Sequence, residues 1–326
     1  MLAGAVSVQA GAGIASRLFS QVPPSAVTTL RLWAATLIMV AVAGRGTARV
    51  IAAVAGRREW STIVATASFG AGLGLMNFAI YQAFSRIPLG IAVTIEFLGP
   101  LAVAIGGGLR RETPRVSPGG SRGARRFRPP DTIASPAGGP PGVRILRGDT
   151  PFVSPRHLSL AWVALAAIGV LLLARGSGGH LNLAGVAWGL VAAAGWAAYI
   201  LLSKATGQRM AGASGLVLAM GVAALLVTVP GVAAGGRSMF RPAALGEGAA
   251  IGLLSSVVPY WLELEALRRV PARVFGVWMS LQPAVAALIG LVMLGQRLSM
   301  AEWAGICCVV VASAMVFRVA ARGGRE

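Results

Sequence analysis

Long apolar runs separated by short polar segments extend over most of the chain. A transmembrane helix needs about 20 mostly apolar residues, and ten such segments can be drawn here. They cover residues 2–19, 26–43, 62–84, 89–108, 158–174, 183–203, 214–234, 245–267, 272–294 and 301–317. Glycine and proline recur inside them, as is usual in membrane helices. The pattern predicts an all-α membrane protein with ten transmembrane helices.

The composition agrees with this prediction. The 326 residues are 56% hydrophobic and 12% charged, with a mean hydropathy of +0.74. Soluble domains carry about 25% charged residues, so this chain has too little polar surface for a water-soluble body. The two cysteines, Cys307 and Cys308, are adjacent within an apolar run. A soluble enzyme, a disordered protein and a disulfide-stabilised scaffold are therefore excluded.

The net charge of +19 requires an explanation. In a soluble chain it would suggest binding to nucleic acid, but no basic surface module with interleaved aromatic residues is visible. The basic residues instead concentrate in loops on the same side as the N-terminus, which is typical of cytoplasmic loops. We therefore expect a multi-pass protein with both termini in the cytoplasm and no nucleic-acid partner.

An internal repeat relates residues 76–105 to residues 259–288. With five helices in each half, the second copy enters the membrane from the opposite side, which is a common plan of secondary transporters. The alternative is a chance match in a background rich in alanine, glycine and valine. The matched features are Pro88 with Pro271, Pro100 with Pro283, and the close-packing G-x-x-x-G pairs Gly70/Gly74 and Gly248/Gly252.

The repeat suggests a division of the chain. Residues 1–108 and 158–175 form the first repeat, residues 183–318 the second, and residues 319–326 a cytoplasmic tail. Between the first repeat's two parts lies a basic cytoplasmic insert rich in proline and glycine, residues 109–157. This composition predicts disorder. The insert either contacts anionic lipid head groups, is functionally neutral, or is a gene-model artefact.

Ionisable residues are sparse inside the predicted helices. Glu96 lies in the fourth helix, four residues before Pro100. A carboxylate at the bilayer centre costs about 2.5–3.5 kcal/mol on insertion scales and usually faces a cavity. Glu96 is thus a candidate for proton coupling or for binding a substrate ammonium group; a structural pair with Arg31 is the alternative. The planar guanidinium group of Arg31 is itself suited to a substrate carboxylate.

Further polar residues could bind a small ligand or join neighbouring helices. Asn77 and Tyr81 are four residues apart and share one helix face. Tyr260 and Glu263 are candidates in the eighth helix. The prolines Pro100, Pro259 and Pro283 each free a backbone carbonyl that can line a cavity. No phosphate-binding loop, metal cluster or nucleophile–base pair is apparent, so we expect neither an enzyme nor a cofactor.

The segment MNFAIYQAFSRIPLGIAVTIEFLGPLAVAI resembles the third and fourth helices of the threonine/homoserine exporters, in the EamA branch of the drug/metabolite transporter superfamily. The segment VPYWLELEALRRVPARVFGVWMSLQPAVAALIGLVMLGQRLS resembles the matching part of the second half. The resemblance implies two inverted EamA repeats in the bacterial inner membrane. It also implies export of small neutral amino acids such as threonine and homoserine, with Glu96, Asn77, Tyr81 and Arg31 at motif positions. Because Glu96 could exchange a proton within the membrane, we expect a proton gradient to drive the export.

Two positions depart from the family pattern, which usually has glutamate where this chain has Gln282 and Gln296. Because position 282 lacks a carboxylate, Glu96 and Glu263 become the main candidates for proton coupling. Gln282 stays a candidate substrate contact. Three alternatives remain open: another metabolite or drug as substrate, a non-transporting scaffold, or a lipid-binding protein. Small-molecule substrate and membrane lipids are the expected partners, and a homodimer is compatible with the sequence.

Overall fold

The computed structural model describes residues 2–57, 60–111, 155–176, 182–207, 214–259, 262 and 278–322. Over these residues the regular structure is helical and no strand occurs. A 3-10 turn, Gly236–Phe240, precedes α9, and a π-helical segment, Leu253–Val257, follows it. The α-helices are α1 (Leu2–Leu18), α2 (Pro24–Arg57), α3 (Trp60–Phe84), α4 (Leu89–Glu96), α5 (Leu98–Arg111), α6 (Pro155–Gly176), α7 (Leu183–Gly207), α8 (Ser214–Gly235), α9 (Pro242–Gly252), α10 (Gln282–Leu294) and α11 (Met300–Arg322).

Among the described residues, five helical stretches are long and apolar enough to cross a membrane. Large apolar side chains on the outside remain exposed, including Leu37 at 62% and Val292 at 79%. A surface of this kind is suited to lipid, since lipid tails are as apolar as these side chains. The prediction of an all-α membrane protein is confirmed. The five stretches are Pro24–Val42, Trp60–Phe84, Leu89–Gly106, Leu183–Ser203 and Ser214–Phe240.

Each predicted transmembrane segment overlaps a described helix, but the count of ten remains a prediction. Parts of the eighth and ninth segments, at 260–261 and 263–277, lie outside the described residues, as does most of the predicted insert, at 112–154. Helix α2 continues from the predicted segment to Arg57. That extension is rich in alanine and arginine, which are strong helix formers, and contains no proline.

Glycine pairs bring several helices close together. α3 packs against α7 and α8, α2 against α8 and α9, and α6 against α11. A Cβ atom at Gly74 would lie 3.2 Å from the backbone of Ala223 in α8. A Cβ atom at Gly252 would lie 2.9 Å from the carbonyl oxygen of Arg31 in α2. The predicted close-packing roles of the two G-x-x-x-G pairs are thus confirmed.

The buried core consists of two main clusters of apolar side chains. One lies where α1, α3 and α4 meet and contains Leu18, Tyr81 and Ile95. The other joins α2 to α8 and contains Leu32 and Met220. Side chains of both clusters border the cavity described below, so the packing of the helices also determines the shape of the site.

The fourth predicted segment is interrupted at Phe97, between α4 and α5. Pro100 explains the break, because it has no N–H to donate to the carbonyl of Glu96 four residues earlier. The sequence predicts an interruption at Pro100, and the end of α4 lies four residues before it. Glu96 therefore contributes both a side-chain carboxyl group and a backbone carbonyl that lacks its usual helical donor.

The start of α4 is stabilised from the second half of the chain. The backbone N–H of Leu89 donates to Oε1 of Gln296 at 3.0 Å. Gly295 has a φ of +66° and ends α10, which turns the chain so that the Gln296 N–H donates to the carbonyl of Gly290. Gln296, one of the two departures from the family pattern, thus caps the helix that leads to Glu96.

Candidate functional site

A cavity of about 280 Å³ lies among α1, α2, α3, α4, α7, α8, α10 and the π-helical segment. We call it the central cavity. Small-molecule sites typically measure about 300–1,000 Å³ and combine apolar walls with a few polar groups. The central cavity has this character, with apolar walls and the polar side chains Gln9, Arg31, Asn77, Tyr81, Glu96, Trp196, Tyr199, Ser255, Ser256 and Gln282.

Arg31 is the most extensively bonded side chain of the cavity. Its Nη1 donates to Oδ1 of Asn77 at 2.6 Å, and its Nη2 donates to the Ser255 carbonyl at 3.3 Å and to Ser256 Oγ at 3.4 Å. Asn77 is oriented by its own Nδ2, which donates to the carbonyl of Leu73 at 2.8 Å. The guanidinium carbon lies 5.2 Å from the ring centroid of Tyr81, within cation–π range.

The Ser255 carbonyl is available to Arg31 because of Pro259. Proline has no N–H, so the carbonyl four residues earlier loses its helical donor. The neighbouring carbonyl of Leu254 is also free of the helix, because the Val258 N–H donates to Leu253 instead. Ser7 Oγ donates to the Leu254 carbonyl at 2.6 Å. The π-helical segment therefore presents carbonyl groups to α1 and to Arg31.

Glu96 is 8% exposed and lines the same cavity as Arg31. The charge of Arg31 acts on it, yet among the described residues no hydrogen bond or ion pair joins the two side chains. The guanidinium group is instead held by Asn77 and the serines. The cavity thus contains a basic and an acidic group that do not neutralise each other by direct contact.

A pair of amides crosses the cavity from α1 to α10. Nε2 of Gln9 donates to Oε1 of Gln282 at 3.0 Å, and the two residues are 2% and 7% exposed. The Nε2 of Gln282 lies 3.7 Å from Sδ of Met279. Sequence reasoning missed Gln9, although an amide in the middle of an otherwise apolar helix is a usable signal.

Three buried polar atoms of the cavity side chains have no hydrogen-bond partner within the described residues: Gln9 Oε1, Arg31 Nε and the Tyr81 hydroxyl. The Tyr81 hydroxyl lies beside Arg31 and Ser255 without a hydrogen bond of acceptable geometry. A buried polar group left unsatisfied costs about 1–3 kcal/mol. The cavity therefore offers two donors and one acceptor to a ligand.

Most of the predicted site residues come together in this cavity. Glu96, Asn77, Tyr81, Arg31, Gln282 and Pro259 all line it. Pro100 and Pro283 are not among its lining residues; Pro100 lies in α5, just after the break at Phe97, and Pro283 lies in the first turn of α10. Tyr260 and Glu263 lie outside the described residues. The described residues hold no cluster of histidine, cysteine, aspartate and glutamate that could bind a metal ion.

A second cavity, of about 360 Å³, lies near the end of α3 and is lined by Gln82, Arg86 and Gln296, among others. Arg86 Nη1 donates to the carbonyl and Oε1 of Gln82. Phe84 lines both cavities. Its ring lies 5.7 Å from that of Tyr81, which in turn lies 5.9 Å from Phe19. Tyr81 lines the central cavity and Phe19 lines the second one.

Comparison with known proteins identifies the family. The EamA-like transporter family model matches residues 183–318. The threonine/homoserine exporter RhtA of Salmonella typhimurium is 32% identical over 318 residues, which cover 94% of this chain and 86% of that protein. This chain belongs to the EamA-like transporter family. RhtA of Escherichia coli K12 is 31% identical to this EamA-like transporter over 321 residues, 96% of the chain and 88% of the relative.

Other relatives agree with this family. The uncharacterized transporter YwfM of Bacillus subtilis is 29% identical over 46% of the EamA-like transporter and 52% of its own length. A crystal structure at 18% identity covers 100% of the chain and 98% of its own, with a TM-score of 0.52, and shows a shared fold. The family and the apolar helices together make this chain a multi-pass membrane protein that handles small molecules.

Proposed function

We propose that this transporter exports small neutral amino acids of the threonine and homoserine type. The observation that carries the proposal is the presence of Arg31 and Glu96 in one cavity of about 280 Å³ without an ion pair between them. A zwitterion has one group for each of these side chains. The exporters that resemble this chain over most of its length are named for the same substrates.

The substrate carboxylate would bind at Arg31. Two guanidinium nitrogens are already occupied by Asn77 and the π-helical segment, which leaves Nε as an unsatisfied buried donor. The Tyr81 hydroxyl beside it supplies a second donor. Because Asn77 Oδ1 and the Ser255 carbonyl already hold the guanidinium group, it loses little conformational freedom when it binds the carboxylate.

The substrate ammonium group would bind at Glu96. The carboxylate accepts from it directly, and the Glu96 carbonyl, deprived of its donor by Pro100, is a further acceptor on the same residue. When the ammonium group leaves, the same carboxyl group can take a proton. Substrate and proton would then occupy Glu96 alternately, so that proton entry is coupled to amino-acid export.

Transport would proceed by alternating access between two inverted five-helix repeats. The helix contacts support this arrangement, because α2 with α8, α4 with α10 and α6 with α11 pair matching helices of the two halves. The breaks before Pro100 and Pro283 also fall at matching places. We propose the bacterial inner membrane as the location, with both termini cytoplasmic. The division of the chain into two repeats, the insert 109–157 and a tail stays a prediction. The homodimer also stays a prediction.

A second candidate function is export of a larger, more apolar metabolite or drug. Methionine side chains are flexible and adapt to varied ligands, and four of them, Met39, Met76, Met220 and Met279, line the cavity. An amino acid transporter does not need so many adaptable apolar contacts. The second candidate function uses the same cavity and the same mechanism with a different substrate.

Uptake by inside-out membrane vesicles tests the substrate. Labelled threonine is compared with threoninol, which lacks the carboxylate, and with 3-hydroxybutyrate, which lacks the ammonium group. We expect wild-type protein to take up threonine and neither analogue. Arg31→Gln should lose threonine uptake, while Arg237→Gln, at an exposed position outside the cavity, should retain it. Equal uptake of all three compounds would refute recognition of a zwitterion and favour the second candidate.

A further inference from the structure

Gln9 is a buried amide that the proposed transport mechanism does not yet use. It lies in the middle of α1, lines the central cavity and is 2% exposed. Its Nε2 donates to Gln282, whereas its Oε1 has no partner among the described residues. A ligand that donates a hydrogen bond to Oε1 would recover the free energy lost by leaving this acceptor unsatisfied.

The position of Gln9 is fixed by its surroundings. α1 approaches the π-helical segment so closely that a Cβ atom at Gly11 would lie 2.9 Å from Cβ of Ser255. On another side, a Cβ atom at Gly13 would lie 3.0 Å from Sδ of Met293 in α10. The Gln282 amide then holds the end of the Gln9 side chain. The acceptor is therefore pre-organised rather than mobile, as a specificity contact requires.

We propose that Gln9 recognises the side-chain hydroxyl group of the substrate. This inference rests on the proposed export of amino acids, in which Arg31 and Glu96 bind the carboxylate and ammonium groups. The hydroxyl hydrogen is the remaining donor of threonine or homoserine, and Gln9 Oε1 is the unsatisfied buried acceptor of the same cavity. Gln282 acts through Gln9 as a positioning residue, because it holds the amide in the orientation that leaves Oε1 free.

Pairs of amino acids of nearly equal shape, with and without a hydroxyl group, measure the proposed hydrogen bond to Gln9 Oε1. Valine has a methyl group where threonine has its hydroxyl, and norvaline has the same relation to homoserine. A site built to bind a hydroxyl group rejects the analogue that lacks it, because the buried acceptor stays unpaired. We expect wild-type protein to favour threonine over valine, and homoserine over norvaline, by about tenfold or more in kcat/KM.

The test compares uptake of the four amino acids by inside-out vesicles that contain full-length variants. Gln9→Met has a similar length and shape without the acceptor, and should reduce both preferences to about twofold or less while valine uptake persists. Gln9→Glu keeps an acceptor oxygen but loses the Nε2 donor to Gln282, so it should retain both preferences in a weaker form than wild type. Ser7→Ala is the matched control on α1, because Ser7 bonds to Leu254 outside the cavity lining, and it should leave both ratios unchanged.

A second variant covers the case in which Gln9→Met is not recovered from membranes. Gln9→Asn withdraws the amide by one methylene group, so the longer side chain of homoserine should gain relative to that of threonine. A homoserine-to-threonine ratio that rises supports the inference, and a ratio equal to that of wild type overturns it.

The outcomes also separate this inference from the proposed function. If wild-type protein transports threonine and valine equally well, recognition of the hydroxyl group is refuted and amino-acid export stands. If Gln9→Met lowers uptake of all four compounds by the same factor, Gln9 contributes packing only and the inference fails. If wild-type protein transports none of the four, the proposed function itself is wrong and the inference falls with it.

Discussion

Arg31 depends on acceptors from two other helical elements for its position. Asn77 in α3 and the Ser255 carbonyl in the π-helical segment hold two of its nitrogens, and the Tyr81 ring covers its face. Neutral acceptors leave the positive charge available to a ligand. A carboxylate in the same place would pair with the guanidinium group and cancel that charge.

Asn77→Asp tests whether the charge of Arg31 must stay available to the substrate. The substitution places a carboxylate at the 2.6 Å contact that the amide Oδ1 now makes. We expect the KM for threonine to rise by about tenfold, equivalent to about 1.4 kcal/mol, because the new carboxylate competes with that of the substrate. The thermal stability should change little, because the new ion pair with Arg31 offsets the loss of the Nδ2 donor to the Leu73 carbonyl.

The measurement is the KM of threonine uptake together with the Tm of the purified variant. Asn77→Ala is the control, since it removes the acceptor but leaves the charge of Arg31 uncancelled. It should lower the Tm more than Asn77→Asp, because a buried donor loses its partner. A wild-type KM for Asn77→Asp would show that the charge of Arg31 is not used for binding.

At the same scale, the sequence predicts ionisable side chains better than amides. Glu96 and Arg31 stand out because charges are rare and costly inside membrane helices, and the structure brings both to one cavity. Gln9 lacks a charge and a motif, and its importance depends on Gln282, which is 273 positions away in the chain. Pairings across such distances are set by tertiary packing, which local patterns do not contain.

Among the elements, prolines leave backbone carbonyl groups without their helical donors near the central cavity. The sequence predicts that Pro100 and Pro259 free carbonyl groups, and α4 ends and the π-helical segment occurs within a few residues before them. It does not predict which side chain uses each carbonyl, nor that the segment before Pro259 is π-helical. Those outcomes depend on two close approaches: that of α1 to the π-helical segment at Gly11, and that of α9 to α2 at Gly252.

Pro259→Ala tests the role of the freed carbonyl. Alanine restores an N–H that can bond to the Ser255 carbonyl, which now accepts from Arg31 Nη2. We expect the KM for threonine to rise by about tenfold, since a hydrogen bond to a charged group contributes about 1.5–3 kcal/mol. The folded protein should be no less stable, because the helix becomes more regular.

Pro230→Ala is the matched control for this comparison. Pro230 also lies within a helix, α8, but it is not part of the cavity lining. Its replacement should leave the KM for threonine unchanged, as measured in the same vesicle assay. Equal effects of the two substitutions on KM would mean that general helix distortion, and not the Ser255 carbonyl, explains the change.

At the scale of the whole molecule, the central cavity is assembled from both halves of the chain. Glu96 and Arg31 come from the first half, and Ser255, Met279 and Gln282 from the second. Phe84 lines both this cavity and the second one near the end of α3. In the alternating-access mechanism that we propose, a movement of one half against the other would change the shape of the central cavity and the surroundings of Phe84.

In the proposed function, Glu96 couples a proton to the export of an amino acid. The most direct measurement is threonine uptake by inside-out vesicles under an imposed pH gradient, for wild type, Glu96→Gln and Glu302→Gln. Glu302 is a buried carboxylate outside the cavity lining that accepts from the Ser299 N–H at 2.6 Å, and glutamine there keeps an acceptor. We predict gradient-driven uptake in wild type and Glu302→Gln, and its loss in Glu96→Gln. If Glu96→Gln takes up threonine as wild type does, with the same dependence on the gradient, Glu96 does not couple the proton to export.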